Sequence, residues 1–208
     1  MKKRVLLGRD AYSYIKKYIP VADSVLTKKL NEAEVFAKKQ KYNVVLKLIS
    51  RQAIHKTDVK GVRIVKNHVE MQKNFNDLLA TAKKKKMKLD GILVQEYVEG
   101  KEVIIGLKND ATFGQVLMFG LGGVFVEILK DVAFRVCPIT EEDAQSMIDE
   151  LKGKKILEGV RGEKAVNFNI LKRALVGISK LKAVEELDIN PFMINSKEGK
   201  AVDVRIVR

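Results

Sequence analysis

Residues 44–61 read VVLKLISRQAIHKTDVKG. A run that is apolar at consecutive positions, without alternation, is a strand buried on both faces. This one carries a lysine, Lys47, in its middle. Burying an ammonium without a partner is costly, so Lys47 calls for an anion. Further along, His55 stands on a polar loop beside Lys56 and Asp58. An imidazole there can be charged, oriented or covalently modified. A buried lysine followed by a loop histidine raises the question of one shared phosphate-handling site.

Composition bounds the answer. The chain has 208 residues, enough for one large domain or two lobes. At 46% apolar and 32% charged it reads as globular. No apolar run reaches the ~20 residues that span a bilayer. The opening MKKRVLLG is too short in apolar residues for a signal peptide. A single cysteine, Cys137, excludes an internal disulfide framework and fits a reducing cytoplasm. The net charge of +14 has two readings, a surface for nucleic acid or anionic ligands and a lysine-rich proteome of thermophile type. The lysines are spread along helices, no arginine-rich arm appears and aromatics are few, so the second is preferred.

Hydrophobic periodicity predicts helices over 8–18, 31–40, 69–86, 141–151 and 168–181. Thr140 is the expected N-cap of the fourth, with Asp143 in its first turn. Strands are expected at 21–26, 43–49, 61–66, 91–98, 102–107, 115–119, 132–136, 186–194 and 200–207. The texture changes near residue 88, which suggests a first lobe over 1–88 and a second over 89–208.

Four constellations can carry chemistry. In Gln95-Glu96-Tyr97-Val98 a strand runs to a glycine turn and leaves with a second acid, Glu102. Backbone there can read an adenine edge and an acid can accept from ribose, although a charged surface hairpin looks the same. In Gly120-Leu121-Gly122-Gly123 bare amides can approach an anion, or simply turn a hairpin. Asp188, Asn190 and Asp203 lie on the two closing strands, where period-two alternation puts Asp188 and Asn190 on one face. If those strands pair, Asp203 lies opposite, and the oxygens suit Mg²⁺ completed by phosphate. Glu127, Asp131 and Arg135 recur at spacing four, either as an exposed ionic face or as an arginine held by acids toward phosphate. His68 reads as structural or exposed, and Cys137 as a buried small hydrophobe.

Taken in order, these segments resemble one family. VVLK is followed by HKTD, ILVQEYVEGKEVIIG, FGQVLMFGLGGVFVEILKDVAFRVCPIT, LDINPF and AVDVR. This is similar to the ATP-grasp β subunit of ADP-forming acyl-CoA synthetases, typified by archaeal acetate–CoA ligase. The resemblance implies an α+β ATP-grasp fold, with a nucleotide site between two α+β lobes. It implies ATP/ADP and Mg²⁺ as cofactors, and a CoA-binding α subunit as partner in an α2β2 assembly. It also implies that a phosphoryl group passes from phosphohistidine to ADP. By matching position, His55 is the phosphoryl carrier and Asp188 the acid that orients it. Lys47 and Arg135 meet phosphate, Glu96, Tyr97 and Val98 meet adenine, Glu102 meets ribose, and Asn190 and Asp203 hold the metal. Two departures stand out. Lys60 replaces the first glycine of the usual Gly-Gly after the histidine loop, and Tyr18-Ile19-Pro20-Val21 lacks the glycine usual after the tyrosine. The rivals are a succinate–CoA ligase β subunit, a basic nucleic-acid-binding protein, and a non-catalytic ATP-grasp subunit. The HKTD loop, the GLGGVFVE run and the shorter chain argue against the first, and intact Lys47, His55, Asn190 and Asp203 against the third, while salt-dependent RNA or DNA binding without nucleotide binding would mark the second.

Overall fold

The computed structural model describes residues 4–50, 61–123, 130–160 and 162–208. In chain order the first half holds β1 (Val5–Leu7), α1 (Arg9–Ile15), β2 (Ser24–Thr27), α2 (Leu30–Lys39), β3 (Val44–Ser50), β4 (Val62–Val65), α3 (His68–Lys84) and β5 (Leu89–Glu96). The second half holds β6 (Lys101–Asp110), β7 (Gly114–Leu121), β8 (Val132–Val136), α4 (Glu141–Asp149), α5 (Lys155–Glu158), α6 (Phe168–Ser179), β9 (Glu186–Ile194), β10 (Gly199–Ala201) and β11 (Val204–Val207). The fold is α+β, as expected.

The chain divides into two units. The smaller takes residues 7–9 and 22–97, and the larger takes 1–6, 10–21 and 98–208. This differs from a boundary at 88. The reason is β5, which lies between β2 and β3 in the smaller sheet, paired from Leu89 to Glu96 with β3. Residues 10–21 belong to the larger unit because the Pro20 carbonyl accepts from Ala201 N and the Tyr12 hydroxyl donates to Val202 O. These are partners more than 180 residues away, which no local pattern can announce.

In the smaller unit the sheet runs β2-β5-β3-β4, antiparallel throughout. Val44, Leu46 and Leu48 of β3 form an apolar cluster with Met71, Phe75 and Leu78 of α3 and Ala33 and Ala37 of α2. Alternation therefore turns Lys47 to the other face, and it is still only 6% exposed. The strand is buried on both faces, as its unbroken apolar run predicts. Asn67 opens α3 by accepting from Glu70 N, and Lys83 and Lys84 close it at the negative pole of the helix dipole.

In the larger unit the sheet runs β1-β11-β9-β6-β7-β8, with β10 also on β9. Leu171, Leu175 and Ile178 of α6 are fully buried, as are Leu107, Leu117 and Phe119 of the strands. Thr140 and Asp143 form the expected reciprocal cap of α4. Asp131, a partner foreseen for Arg135, instead accepts from Lys152 N at 2.9 Å and Gly153 N at 2.8 Å. It ties down the turn after α4.

The smaller core should depend on Phe75, which is wholly buried in that cluster. Phe75→Ala is expected to lower stability by about 3–5 kcal/mol, as other buried phenylalanine truncations do. A denaturant titration checks this, with an unshifted midpoint counting against the packing described.

Candidate functional site

The central strand of the larger sheet, β9, reads ELDINPFMI. Leu187 and Ile189 are buried, and so are Phe192 and Ile194, so the inward phase slips by one residue between 189 and 192. Pro191 sits in that slip and has no N–H to give to a ladder. The β6 pairing shifts register there, and β10 and β11 separate at Val202-Asp203 on the other side. Asn190 N donates to Asp203 O at 3.1 Å, and Val202 N donates to Pro191 O at 3.2 Å. The irregularity thus sets Asn190 and Asp203 side by side.

One step along, Asp188 pairs with Gly106 on β6 and with Arg205 on β11. Another step brings Glu186 opposite Lys108 and Val207. Directly opposed residues share a face. Asp188, Asn190, Asp203, Glu186, Arg205 and Lys108 are therefore carried on the face opposite that of the buried Leu187 and Ile189. Arg205 Nη1 donates to Glu186 Oε1 at 2.9 Å. The Asp188 carboxyl is pushed above its ordinary range, first by burial, then by Asp203 and Glu186, while Arg205 pulls it back. The Gly106 side of Asp188 opens on a cavity of about 540 Å³ with Met118 and Phe134 on its wall.

This arrangement fits a hard cation. Mg²⁺ takes one or two protein oxygens and completes its shell with water and phosphate oxygens. Asn190 and Asp203 supply that number, and a cation there offsets the neighbouring carboxylates. Among the described residues no group of three or more His, Cys, Asp or Glu side chains could hold a metal by itself.

The other expected residues are placed as follows. Glu96 is held by Asp23, whose N–H donates to Glu96 Oε1 at 2.7 Å and whose carbonyl accepts from Glu96 N at 3.0 Å. Tyr97 N donates to Asn43 O at 3.0 Å, and the ring is 37% exposed. Val98 is buried and begins the larger unit. Glu102 is exposed at the start of β6, and its carbonyl accepts from Gly122 N at 2.8 Å. A Cβ on Gly122 would come within 2.8 Å of Glu102 Cβ, so this glycine is required by close approach. Cys137 is half-buried rather than buried as expected, and burial pushes its thiol up to about 11. His68 is exposed and lies 3.2 Å from Glu34 Oε1. His55, Asp58, Lys60 and Glu127 lie outside the described residues.

Arg135 is not brought to this group. It pairs with Leu117, which pairs with Leu107, which pairs with Leu187. That chain of partners puts Arg135 on the sheet face opposite Asp188. Its Nη1 donates to Glu150 Oε2 at 3.2 Å, its Nη2 to Ser146 Oγ at 2.8 Å, and Nη2 also pairs with Glu150 Oε1. Glu150 is the C-cap of α4, so a cation there offsets both the carboxylate and the negative helix end. The expectation of a phosphate-side Arg135 is corrected on these grounds. Sequence reasoning overlooked Arg205. Its signal was plain in retrospect, since a strand places residue i+2 on the face of residue i, and Arg205 is two beyond Asp203.

The ATP-grasp domain family matches residues 1–207. The chain is 41% identical to the β subunit of acetate–CoA ligase [ADP-forming] I of Pyrococcus furiosus, over 99% of this chain and 93% of that one. It superposes with a TM-score of 0.93 and 40% identity on the dinucleotide-forming acetyl-coenzyme A synthetase 1 of Ca. Korarchaeum cryptofilum in complex with coenzyme A, Ca-AMPCP and HgCl+, covering 98% of this chain and 93% of that one. A second structure of that synthetase, with coenzyme A and Mg-AMPPCP and its phosphohistidine segment pointing towards the nucleotide binding site, gives a TM-score of 0.83 at 40% identity over 98% and 92% of the two chains.

The Arg135–Glu150 pair makes a prediction about pH. The hydrogen bond from Arg135 holds the Glu150 carboxyl below its ordinary range. A folded-state value that is depressed gives stability present above the unfolded value and lost as pH falls through the folded one. Glu150 is 48% exposed, so the pair contributes no more than about 1 kcal/mol. Urea unfolding of wild type and Arg135→Met should differ by a constant amount near neutrality. That gap should close as pH falls below the ordinary glutamate value of about 4.3. A gap that stays flat would assign Arg135 another role.

Proposed function

Because the chain belongs to the ATP-grasp family, and within it to the β subunits of ADP-forming acetate–CoA ligases, we propose that it carries the nucleotide half of that reaction. A phosphoryl group passes from a phosphohistidine to ADP to make ATP, and acyl-CoA is cleaved on a separate α subunit. The observation that carries this reading is the block of Asp188, Asn190, Asp203 and Arg205 on one face of the larger sheet.

Phosphoryl transfer asks a protein for positioning and charge neutralisation more than for covalent chemistry. In this reading the P–N bond at His55 breaks, an oxygen of the ADP β-phosphate bonds to phosphorus, and the imidazole keeps the electron pair. The ring leaves as a neutral group if its other nitrogen holds a proton, and Asp188 accepts from that N–H. Lys47 binds nucleotide phosphate, an assignment supported by its burial in β3. Residues 96–98 bind adenine through backbone groups, since the Glu96 carboxylate is already engaged by Asp23. Glu102 accepts from ribose. Asn190 and Asp203 hold Mg²⁺, which when bound neutralises charge on the phosphate oxygens.

Two relatives of this chain's own length are β subunits, so a partner subunit is expected, and an α2β2 assembly is part of the proposal. Among the described residues no helix is long and apolar enough to cross a membrane. A cytoplasmic site of action is proposed from the single cysteine.

Two variants test the reading. With the α subunit present, His55→Ala should cut ATP formation from acyl-CoA, phosphate and ADP by a factor on the order of 10³ or more, as loss of a covalent nucleophile does. Wild-type turnover in that variant would remove His55 as carrier. Lys47→Met should weaken Mg·ADP binding by calorimetry by about 10–100-fold, the equivalent of one charge-assisted bond. An unchanged affinity would remove Lys47 from the phosphate site.

A further inference from the structure

The 3 × 2 block of outward positions on β9 and β11 holds Glu186 with Val207, Asp188 with Arg205, and Asn190 with Asp203. Three of these side chains are carboxylates, and the cations beside them are Arg205 and, from β6, Lys108. A phosphoryl group drawn to this face meets strong repulsion unless positive charge is aimed at it. Lys108 lies at the far end, opposite Glu186, and is exposed. Arg205 lies in the middle, opposite Asp188 and two residues from Asp203.

The guanidinium is engaged in a way that suits a second ligand. Its recorded bond uses one terminal nitrogen, Nη1, to Glu186 Oε1 at 2.9 Å. A guanidinium has five N–H donors in a planar fork, and phosphate oxygens match the remaining pair. The side chain is 39% exposed and Glu186 is 46% exposed, so this surface-type pair is weak and does little for the fold by itself. On the other flank of Asp188, Gly106 carries no side chain and the cavity walled by Met118 and Phe134 opens. A reacting group reaching Asp188 through that opening arrives across the strand from the arginine.

We infer that Arg205 is a further catalytic residue of the transfer site, donating to the oxygens of the phosphoryl group in transit. The inference rests on the function proposed above. Arg205 acts on the group being transferred rather than on the bound nucleotide, so its loss falls on turnover. Lysine cannot replace it, because an ammonium is a point charge without the fork.

The experiment measures ATP formation from acetyl-CoA, phosphate and ADP by this chain with its co-purified α subunit. It compares Arg205→Met, Arg205→Lys, Glu186→Gln and Asp203→Asn, with thermal melting as the folding control. Arg205→Met should lose about 100-fold in kcat, the usual cost of one preorganised donor at a transition state. Its Kd for Mg·ADP should move less than about threefold, a shift of under 1 kcal/mol. Arg205→Lys should recover less than about a tenth of wild-type kcat, since it lacks the bidentate geometry. Glu186→Gln should stay within about threefold of wild type, as expected when an exposed ion pair is removed. The inference is overturned if Arg205→Met keeps its kcat while Asp203→Asn loses activity. It is also overturned if Arg205→Met and Glu186→Gln fall equally with equal losses of melting temperature, which is the mark of a structural ion pair. If neither Asp203→Asn nor Arg205→Met alters ATP formation, the proposed function itself fails.

Discussion

Pro191 has no N–H to donate, and it stands in the middle of the central strand of the larger sheet. A strand with neighbours on both sides resists such a residue, because the missing N–H leaves a gap in one of its ladders. Here both sides of the strand are irregular. The β6 ladder shifts register on one side, and the chain on the other side divides into β10 and β11 at Val202-Asp203. The apolar phase slips by one on β9 and again between Ala201 and Val204, so Leu187, Ile189, Phe192 and Ile194 stay inside on β9, and Ala201, Val204 and Ile206 stay inside beside them. The polar residues left at the slip, Asn190 and Asp203, are held together by a backbone hydrogen bond. The metal site proposed for this chain thus derives from a backbone constraint, which fixes the side chains more firmly than a loop does.

That constraint explains which parts of the fold could be read early. The strand 186–194 and the helix beginning at 141 are set by local signals, alternation in one and the Thr140–Asp143 cap in the other, and both appear where the sequence puts them. The closing strand, read as continuous over 200–207, is interrupted. The interruption answers Pro191 across the sheet, and nothing in residues 200–207 contains that information. The division near residue 88 misses for a similar reason. A change in texture at Leu89 is real, but β5 is claimed by its partners on β2 and β3.

The two arginines show the same limit at the level of chemistry. Spacing four in residues 127–135 suggested one ionic face. In a strand that spacing does keep residues on one side, but it does not say which side faces the acids. Arg135 is taken by Glu150, fifteen residues on, and Asp131 by the backbone of Lys152 and Gly153. Arg205 lay beside Asp203 in plain view, and its importance depends on pairing with Asp188 rather than on its own neighbourhood. Long-range register decides both cases.

The larger unit also holds carboxylates where its own stability does not favour them. Burial and the nearness of Asp203 and Glu186 push the Asp188 carboxyl above its ordinary range. A raised folded-state value gives stability that is present at low pH and lost as pH rises through it. A chain with a net charge of +14 has no shortage of cations to place there. On this face it keeps Arg205 opposite Asp188 and Lys108 opposite Glu186. Sites that break the rules of stable packing in this way are the ones at which ligand binding restores the balance. In the function proposed for this chain, the acids are half of an electrostatic arrangement that a cation and a phosphate complete together.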